Sequence, residues 1–182
     1  MRTVKCDDEG LRAAAEVLLA GGVAVIPTDT VYGLAAHPKF PKAVERLYTI
    51  KARPEAKPIA LLAGDAASAE AFVGGFPPSA KALVRHWPGA LTIVAKGEGL
   101  RVPDHAWTRR LIAECGGTLR VTSANLSGRR PATDAPVALA EVGLSADIVV
   151  DGGTSPGGVP STVVRVSDDG VEVLRAGAVC LP

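Results

Sequence analysis

The chain has 182 residues, 47% of them hydrophobic and only 4% aromatic. It is long enough for one domain with a sizeable core, which must be built from Ala, Val, Leu and Ile. A formal net charge of +1 argues against a generalised field for nucleic acid or membrane, so any site for a polyanion must be local. Cys6, Cys115 and Cys180 are odd in number and lack C-x-x-C spacing, which suits a reduced, cytoplasmic chain whose thiols act as small hydrophobes. The first nine residues contain no apolar signal-peptide region, and no apolar run approaches the ~18 residues of a membrane span.

In chain order, Asp7-Asp8 caps a periodic segment (Leu11, Ala14, Ala15, Leu18, Leu19) stopped by Gly21-Gly22, which predicts a helix. Val23–Ile26 is a short, continuously apolar strand ended by Pro27. Helix over Pro41–Ile50, strand over Ile59–Leu62, and helices over Ala66–Val73 and Ser79–His86 follow. Leu91–Val94 reads as a strand and Leu100–Val102 as a short one. Thr108–Glu114 is helical, Leu119–Val121 a strand, Pro136–Val142 a helix and Ile148–Val150 a strand. Thr162–Val166 and Val171–Leu174 flank Asp168-Asp169-Gly170, a hairpin signature. Strands and helices mix without strict alternation, so the expected fold is a single α/β domain over residues 1–182, a twisted mixed sheet flanked by helices.

Several common chemistries are missing. There is no G-x-x-x-x-G-K-[ST] loop, no G-x-G-x-x-G after a strand and no G-x-S-x-G elbow. His37, His86 and His105 are scattered, and no carboxylates sit at metal-binding spacing, so no protein-held metal is expected. Lys51, Arg53 and Lys57 lie within seven residues, where a helix gives way to a loop containing Pro54. Fixed cations of this kind suit a triphosphate, Arg through bidentate geometry and Lys as a point charge; a solvated basic loop reads equally well. Ser123 and Asn125 after a strand can contact a ligand, but taken alone they read as ordinary turn formers. Ser161-Thr162 after Pro160 has the same ambiguity, Thr30 and Tyr32 suit a helix cap as well as a substrate, and Arg101 and Arg175 alone read as surface arginines.

Taken together and in order, these clusters are more specific. The stretches PTDTVYGL (27–34), KARPEAKP (51–58), WPGALTIV (87–94), RVPD (101–104), TSANLSG (122–128), PSTVV (160–164) and LRAG (174–177) make the chain resemble the YrdC/Sua5 family. That resemblance implies a twisted α/β domain with a basic concave face and a synthase activity: L-threonine, bicarbonate and ATP giving L-threonylcarbamoyl-AMP and pyrophosphate. The product would feed a separate threonylcarbamoyl transferase that modifies tRNA to N6-threonylcarbamoyladenosine. Mg2+ would accompany ATP, held largely by the phosphates.

By motif position, the resemblance makes Lys51 and Arg53 the catalytic cations, with Lys57 also on the ATP phosphates. Ser123 and Asn125 would line the nucleotide, and Arg175 would reach it from the last strand. Thr30 and Ser161 would contact threonine, whose carboxylate would pair with Arg101. Leu62, Gly97 and Pro131 depart from the family pattern and are left out of the site. The extra C-terminal domain of longer relatives is expected to be absent. The competing readings are a paralogue binding double-stranded RNA or tRNA, through Arg109, Arg110, Arg129 and Arg130, a synthase for another amino acid, and the carbamoyl-adenylate domain of hydrogenase maturation proteins.

Overall fold

The computed structural model describes residues 2–167 and 170–181. Ten strands form one sheet: β1 (Arg2–Lys5), β2 (Val23–Ile26), β3 (Gly33–Ala36), β4 (Ala60–Ala63), β5 (Leu91–Ala95), β6 (Glu98–Arg101), β7 (Thr118–Ser123), β8 (Ile148–Asp151), β9 (Thr162–Ser167) and β10 (Gly170–Arg175). Their spatial order is β1-β8-β2-β3-β7-β4-β6-β5-β9-β10, with β1–β8, β2–β8, β4–β6 and β5–β9 parallel and the other pairs antiparallel. The helices are α1 (Asp8–Leu19), α2 (Pro41–Lys51), α3 (Ala66–Phe72), α4 (Pro78–Leu83), α5 (Ala106–Glu114) and α6 (Ala135–Glu141). This is the mixed α/β sheet expected from the sequence.

Local chemistry starts these helices where the sequence signals them. Asp7 Oδ1 accepts from Gly10 N at 2.9 Å, Asp65 from Ser68 N at 2.7 Å and Asp134 from Val137 N at 2.9 Å, each satisfying a backbone donor that the first turn leaves without a partner. Pro41 and Pro78 open α2 and α4, where a missing N–H is harmless.

Two strands lie outside the sequence reading. β1 is a four-residue, largely exposed edge with no apolar alternation, made a strand only by its parallel pairing with β8. β3 (Gly-Leu-Ala-Ala) has weak strand propensity, but it is enclosed between β2 and β7. Thr30 and Tyr32 therefore precede a strand and cap no helix. Across the predicted hairpin β9 and β10 pair antiparallel; Asp168 and Asp169 of its turn lie outside the described residues.

Helices cover the sheet unequally. α1 and α5 pack Leu11, Leu18, Leu111 and Ile112 on Ala24, Ile26, Ala35, Ile148 and Val150. On the other side Leu47 of α2 and Ala135 and Ala138 of α6 meet Val23, Val25, Leu34 and Val149. Strands β2 and β3 are accordingly buried throughout. Farther along, α3 and α4 with Phe76 and Leu83 cover Leu61, Leu91, Ile93, Leu100 and Val164. The opposite side of β5 and β9 presents Thr92, Val94, Val163 and Arg165 to a cleft.

Burial pushes the thiols of Cys6 and Cys115 up to about 11, so both are protonated at neutral pH. No helix among the described residues is long and apolar enough to cross a membrane.

Candidate functional site

The cleft has a volume of about 920 Å³ and a floor made by the sheet itself. Leu62 pairs with Arg101 across β4 and β6, Thr92 with Val163 across β5 and β9, and Val163 with Arg175 across β9 and β10. The Ile93–Leu100 pair carries Thr92 beside Arg101. One row of the sheet therefore reads Leu62, Arg101, Thr92, Val163, Arg175, because side chains in register share a face. Gly99 keeps the floor low: a Cβ there would lie 3.6 Å from Thr92 Cγ2 and 3.7 Å from Ala60 Cβ.

Seven cations line this cleft: Arg53, Lys57, Lys96, Arg101, Arg129, Arg165 and Arg175; among the described residues no Asp or Glu does. A chain of net charge +1 thus concentrates positive charge in one place, as a local polyanion site requires.

Eight of the nine residues singled out in the sequence line it: Thr30, Arg53, Lys57, Arg101, Ser123, Asn125, Ser161 and Arg175. Arg101 is buried and held on three sides. Its Nε donates to Gly89 O at 2.9 Å, Nη1 to Thr30 Oγ1 at 2.9 Å and Nη2 to Asp29 Oδ1 at 2.6 Å. Burial lowers its pKa and Asp29 opposes that; a guanidinium stays charged regardless. Arg175 donates from Nη2 to Ser161 O at 2.7 Å. Its pKa is lowered by burial and then by Arg101 and Arg53, a sign that three guanidinium groups converge. Arg53 donates to the carbonyls of Lys57 at 2.8 Å and Pro58 at 3.0 Å, folding its own loop toward the cleft.

Lys51 is the exception. It does not line the cleft. Lys51 shares the buried face of α2 with Ala43 and Leu47, one helical turn apart each, so it points inward before the helix ends at Ala52 in the left-handed conformation (φ 47°). Its buried ammonium donates to the carbonyls of Ser123 and Asn125, and Ser127 N returns a bond to Lys51 O at 2.9 Å. Burial, with help from Arg53, pushes its pKa down to about 8 against the opposing pull of Glu141. Lys51 thus ties the end of α2 to the Ser123–Asn125 turn from behind.

Leu62, Gly97 and Pro131, which the sequence reading set aside, also line the cleft. Polarity does not decide what faces a site; position on the strand or loop does. Asp29, Thr92 and Arg165 were missed. Thr92 carried a faint signal, as the one hydroxyl in the apolar run Leu91–Ala95.

Two glycines hold the walls together. A Cβ at Gly157 would come within 2.6 Å of Asp29 O, and one at Gly177 would collide with the Pro160 carbonyl. Gly157 N and Gly158 N donate to Asp29 O and Thr30 O at 3.1 and 2.8 Å, so the 152–160 loop is clamped on the turn that holds Arg101. Tyr32 Oη fastens the same loop, donating to Gly153 O at 2.6 Å and accepting from Gly152 N at 3.0 Å.

Fold and cleft together define a mixed α/β protein whose bare sheet face gathers arginines, lysines and hydroxyls around one cleft. The chain belongs to the Sua5/YciO/YrdC family: the family model, described as "Telomere recombination", matches residues 16–177. It is 35% identical to the threonylcarbamoyl-AMP synthase of Bacillus subtilis, covering 95% of this chain and 55% of that protein. It is 34% identical to a putative threonylcarbamoyl-AMP synthase of Mycobacterium tuberculosis, covering 93% and 85%. The crystal structure of P. abyssi Sua5 complexed with L-threonine superposes with a TM-score of 0.87 at 28% identity, over 97% of this chain and 56% of that one. The chain thus spans little more than half the length of two of these relatives.

Proposed function

We propose that the protein is an L-threonylcarbamoyladenylate synthase that joins L-threonine, bicarbonate and ATP and releases pyrophosphate, the first step toward N6-threonylcarbamoyladenosine in tRNA. The observation that carries this reading is the convergence of Arg53, Lys57, Arg101, Ser123, Asn125, Ser161 and Arg175 on one cleft whose described lining lacks carboxylates. The names of the relatives point the same way.

The chemistry follows from charge. The threonine amine and bicarbonate give a carbamate and water. A carbamate oxygen then attacks the α-phosphorus of ATP, and the bond to pyrophosphate breaks. Anions must approach one another, so fixed cations that cancel repulsion do most of the work. Arg53, Lys57 and Arg175 would hold phosphates, while the two remaining N–H groups of Arg101 and the hydroxyls of Thr30 and Ser161 would receive the amino acid. No side chain forms a covalent intermediate. Holding the partners in a cleft removes much of the entropic barrier.

The donor set fits a Mg2+ ion carried by the phosphates. Asn125 Oδ1 is buried and has no hydrogen-bond partner among the described residues, and such an oxygen suits a hard cation. No group of three His, Cys, Asp or Glu that could hold a metal occurs among those residues. When bound, the ion would neutralise phosphate charge beside Ser123 and Asn125.

The product would pass to a threonylcarbamoyl transferase in the cytoplasm, a location that suits three unpaired cysteines. The RNA reading draws less support, since Arg109, Arg110 and Arg129 already pair with Asp104, Asp8 and Glu141. The test is direct. Purified protein with ATP, Mg2+, threonine and 13C-bicarbonate should release pyrophosphate and yield a labelled adenylate by mass spectrometry. Omitting any substrate should abolish both. Salt-sensitive tRNA binding without adenylate would favour the RNA paralogue.

A further inference from the structure

The turn that holds Arg101 contains a chain of hydrogen bonds whose direction is set by its two ends. Thr28 Oγ1 donates to Val31 O at 2.6 Å. A carbonyl only accepts, so the single hydroxyl hydrogen of Thr28 is committed there. Thr30 Oγ1 lies 3.1 Å from Thr28 Oγ1, and the hydrogen in that contact therefore comes from Thr30. At the other end Arg101 Nη1 donates to Thr30 Oγ1 at 2.9 Å, and a guanidinium only donates. The order runs from Arg101 to Thr30 to Thr28 to Val31 O and cannot reverse. Thr28, Thr30 and Arg101 are all buried.

This order decides what Thr30 shows the cleft it lines. Its hydrogen is spent on Thr28 and one lone pair on Arg101, and no further partner meets its oxygen among the described residues. One lone pair is left, so Thr30 accepts and does not donate. Its backbone is clamped by Gly158 N on Thr30 O at 2.8 Å, which keeps the oxygen in place. The hydroxyl of Thr28 has nothing left for a ligand, because the amides of Thr30 and Val31 also point at it, at 3.2 and 3.3 Å. Beside Thr30, Arg101 keeps two N–H groups after bonding Gly89, Thr30 and Asp29. Donors next to a lone acceptor match an α-amino acid, with its carboxylate on the guanidinium and an amine N–H on Thr30.

We propose that Thr28 is a positioning residue: by taking the hydrogen of Thr30 it makes Thr30 an obligate acceptor and so selects an amine at the α-carbon of the substrate. This rests on the synthase reading above, in which an amino acid occupies the cleft. An amine that gives an N–H to Thr30 keeps its lone pair free for the carbon of bicarbonate. A Thr30 hydrogen turned into the cleft would tie that lone pair up.

Two ligands that differ at one group test this without turnover. L-2-Aminobutanoate carries an amine where 2-oxobutanoate carries a carbonyl oxygen, which only accepts. Their dissociation constants, measured by ligand-observed NMR without ATP or bicarbonate, should favour the amine at least about tenfold in the wild type, the effect of one hydrogen bond made or refused. Thr28→Val keeps a β-branched shape but frees the Thr30 hydrogen for the cleft, and it should shrink that ratio about fivefold or more. Thr28→Ser restores the acceptor and should bring the ratio back to within about twofold of wild type. Should Thr28→Val not fold, Thr30→Val removes the acceptor itself and should shrink the ratio as well. A wild-type ratio near one overturns the proposal. So does a Thr28→Val protein that binds both ligands more weakly at an unchanged ratio, since that is the mark of a merely structural residue, and so does an unchanged ratio in Thr30→Val. The expected ratios without adenylate from threonine, bicarbonate and ATP would sink the synthase reading and leave the role of Thr28 standing. Adenylate formation with a ratio that Thr28→Val does not move would do the reverse.

Discussion

Strands β8, β2 and β3 and strands β6, β5 and β9 belong to one sheet, yet they meet opposite fates. The first three have helices on both faces, are buried almost end to end and carry apolar residues at nearly every position. The second three have helices on one face. There Leu91, Ile93, Leu100 and Val164 pack inward, while Thr92, Arg101, Val163 and Arg165 turn to the cleft. The sheet carries the core where both faces are covered and the cleft where one is left bare. The uncovered face can hold cations because no helix desolvates it completely, and its strands give them fixed spacing.

That contrast makes substitutions in the two regions fail differently. Leu34→Ala in the doubly covered region should destabilise the fold by about 2–5 kcal/mol, the usual effect of emptying a core site. Thermal melting would show it, with substrate KM values unchanged in the folded fraction. Arg53→Ala in the cleft should do the opposite, lowering kcat/KM for adenylate formation about 100- to 1000-fold, in the range of a lost charge-stabilising donor, with an unchanged melting temperature. If Arg53→Ala unfolds the protein or leaves the rate intact, the division between the two regions is wrong.

Lys51 lies between the regions and should show both behaviours. With its ammonium pushed down to about 8 from the ordinary 10.5, the unfolded chain holds more protons across that interval. Stability contributed by this group therefore rises with pH there. On the proposed function the charged form orders the Ser123–Asn125 turn for activity, so activity should fall as pH rises through about 8 while the protein stays folded. A pH–rate profile beside a pH–melting series would show the divergence. Lys51→Arg should lose the alkaline limb, since a guanidinium does not titrate there. The smallest effect belongs to Glu172→Ala. It removes the exposed Arg165–Glu172 pair, changes stability by less than about 1 kcal/mol, and frees a cleft arginine. Tighter ATP binding by calorimetry would be the sign.

Short segments alone left Arg53, Ser123, Asn125, Ser161 and Arg175 as loop, turn or surface residues; the order of the seven family-like motifs is what singled them out, and the fold brings them to one cleft. Less legible were residues whose role depends on a distant partner. Asp29 matters because Arg101 lies 72 positions away and 2.6 Å from it, and Thr92 because Ser161 reaches it from 69 positions away. β3 was invisible for the same reason, since Gly33–Ala36 is a strand only through its neighbours.

By itself, then, the sequence determined the helices, most strands, the apolar core and the inventory of cations and hydroxyls, because caps, prolines and hydrophobic period act over a few residues. Tertiary structure decided which of those groups share a face: it sent Lys51 behind the Ser123–Asn125 turn, set Arg101 on Asp29 and left one side of β5 and β9 bare. Strand order and register make those choices through pairings between segments far apart in the chain, and no local pattern encodes them.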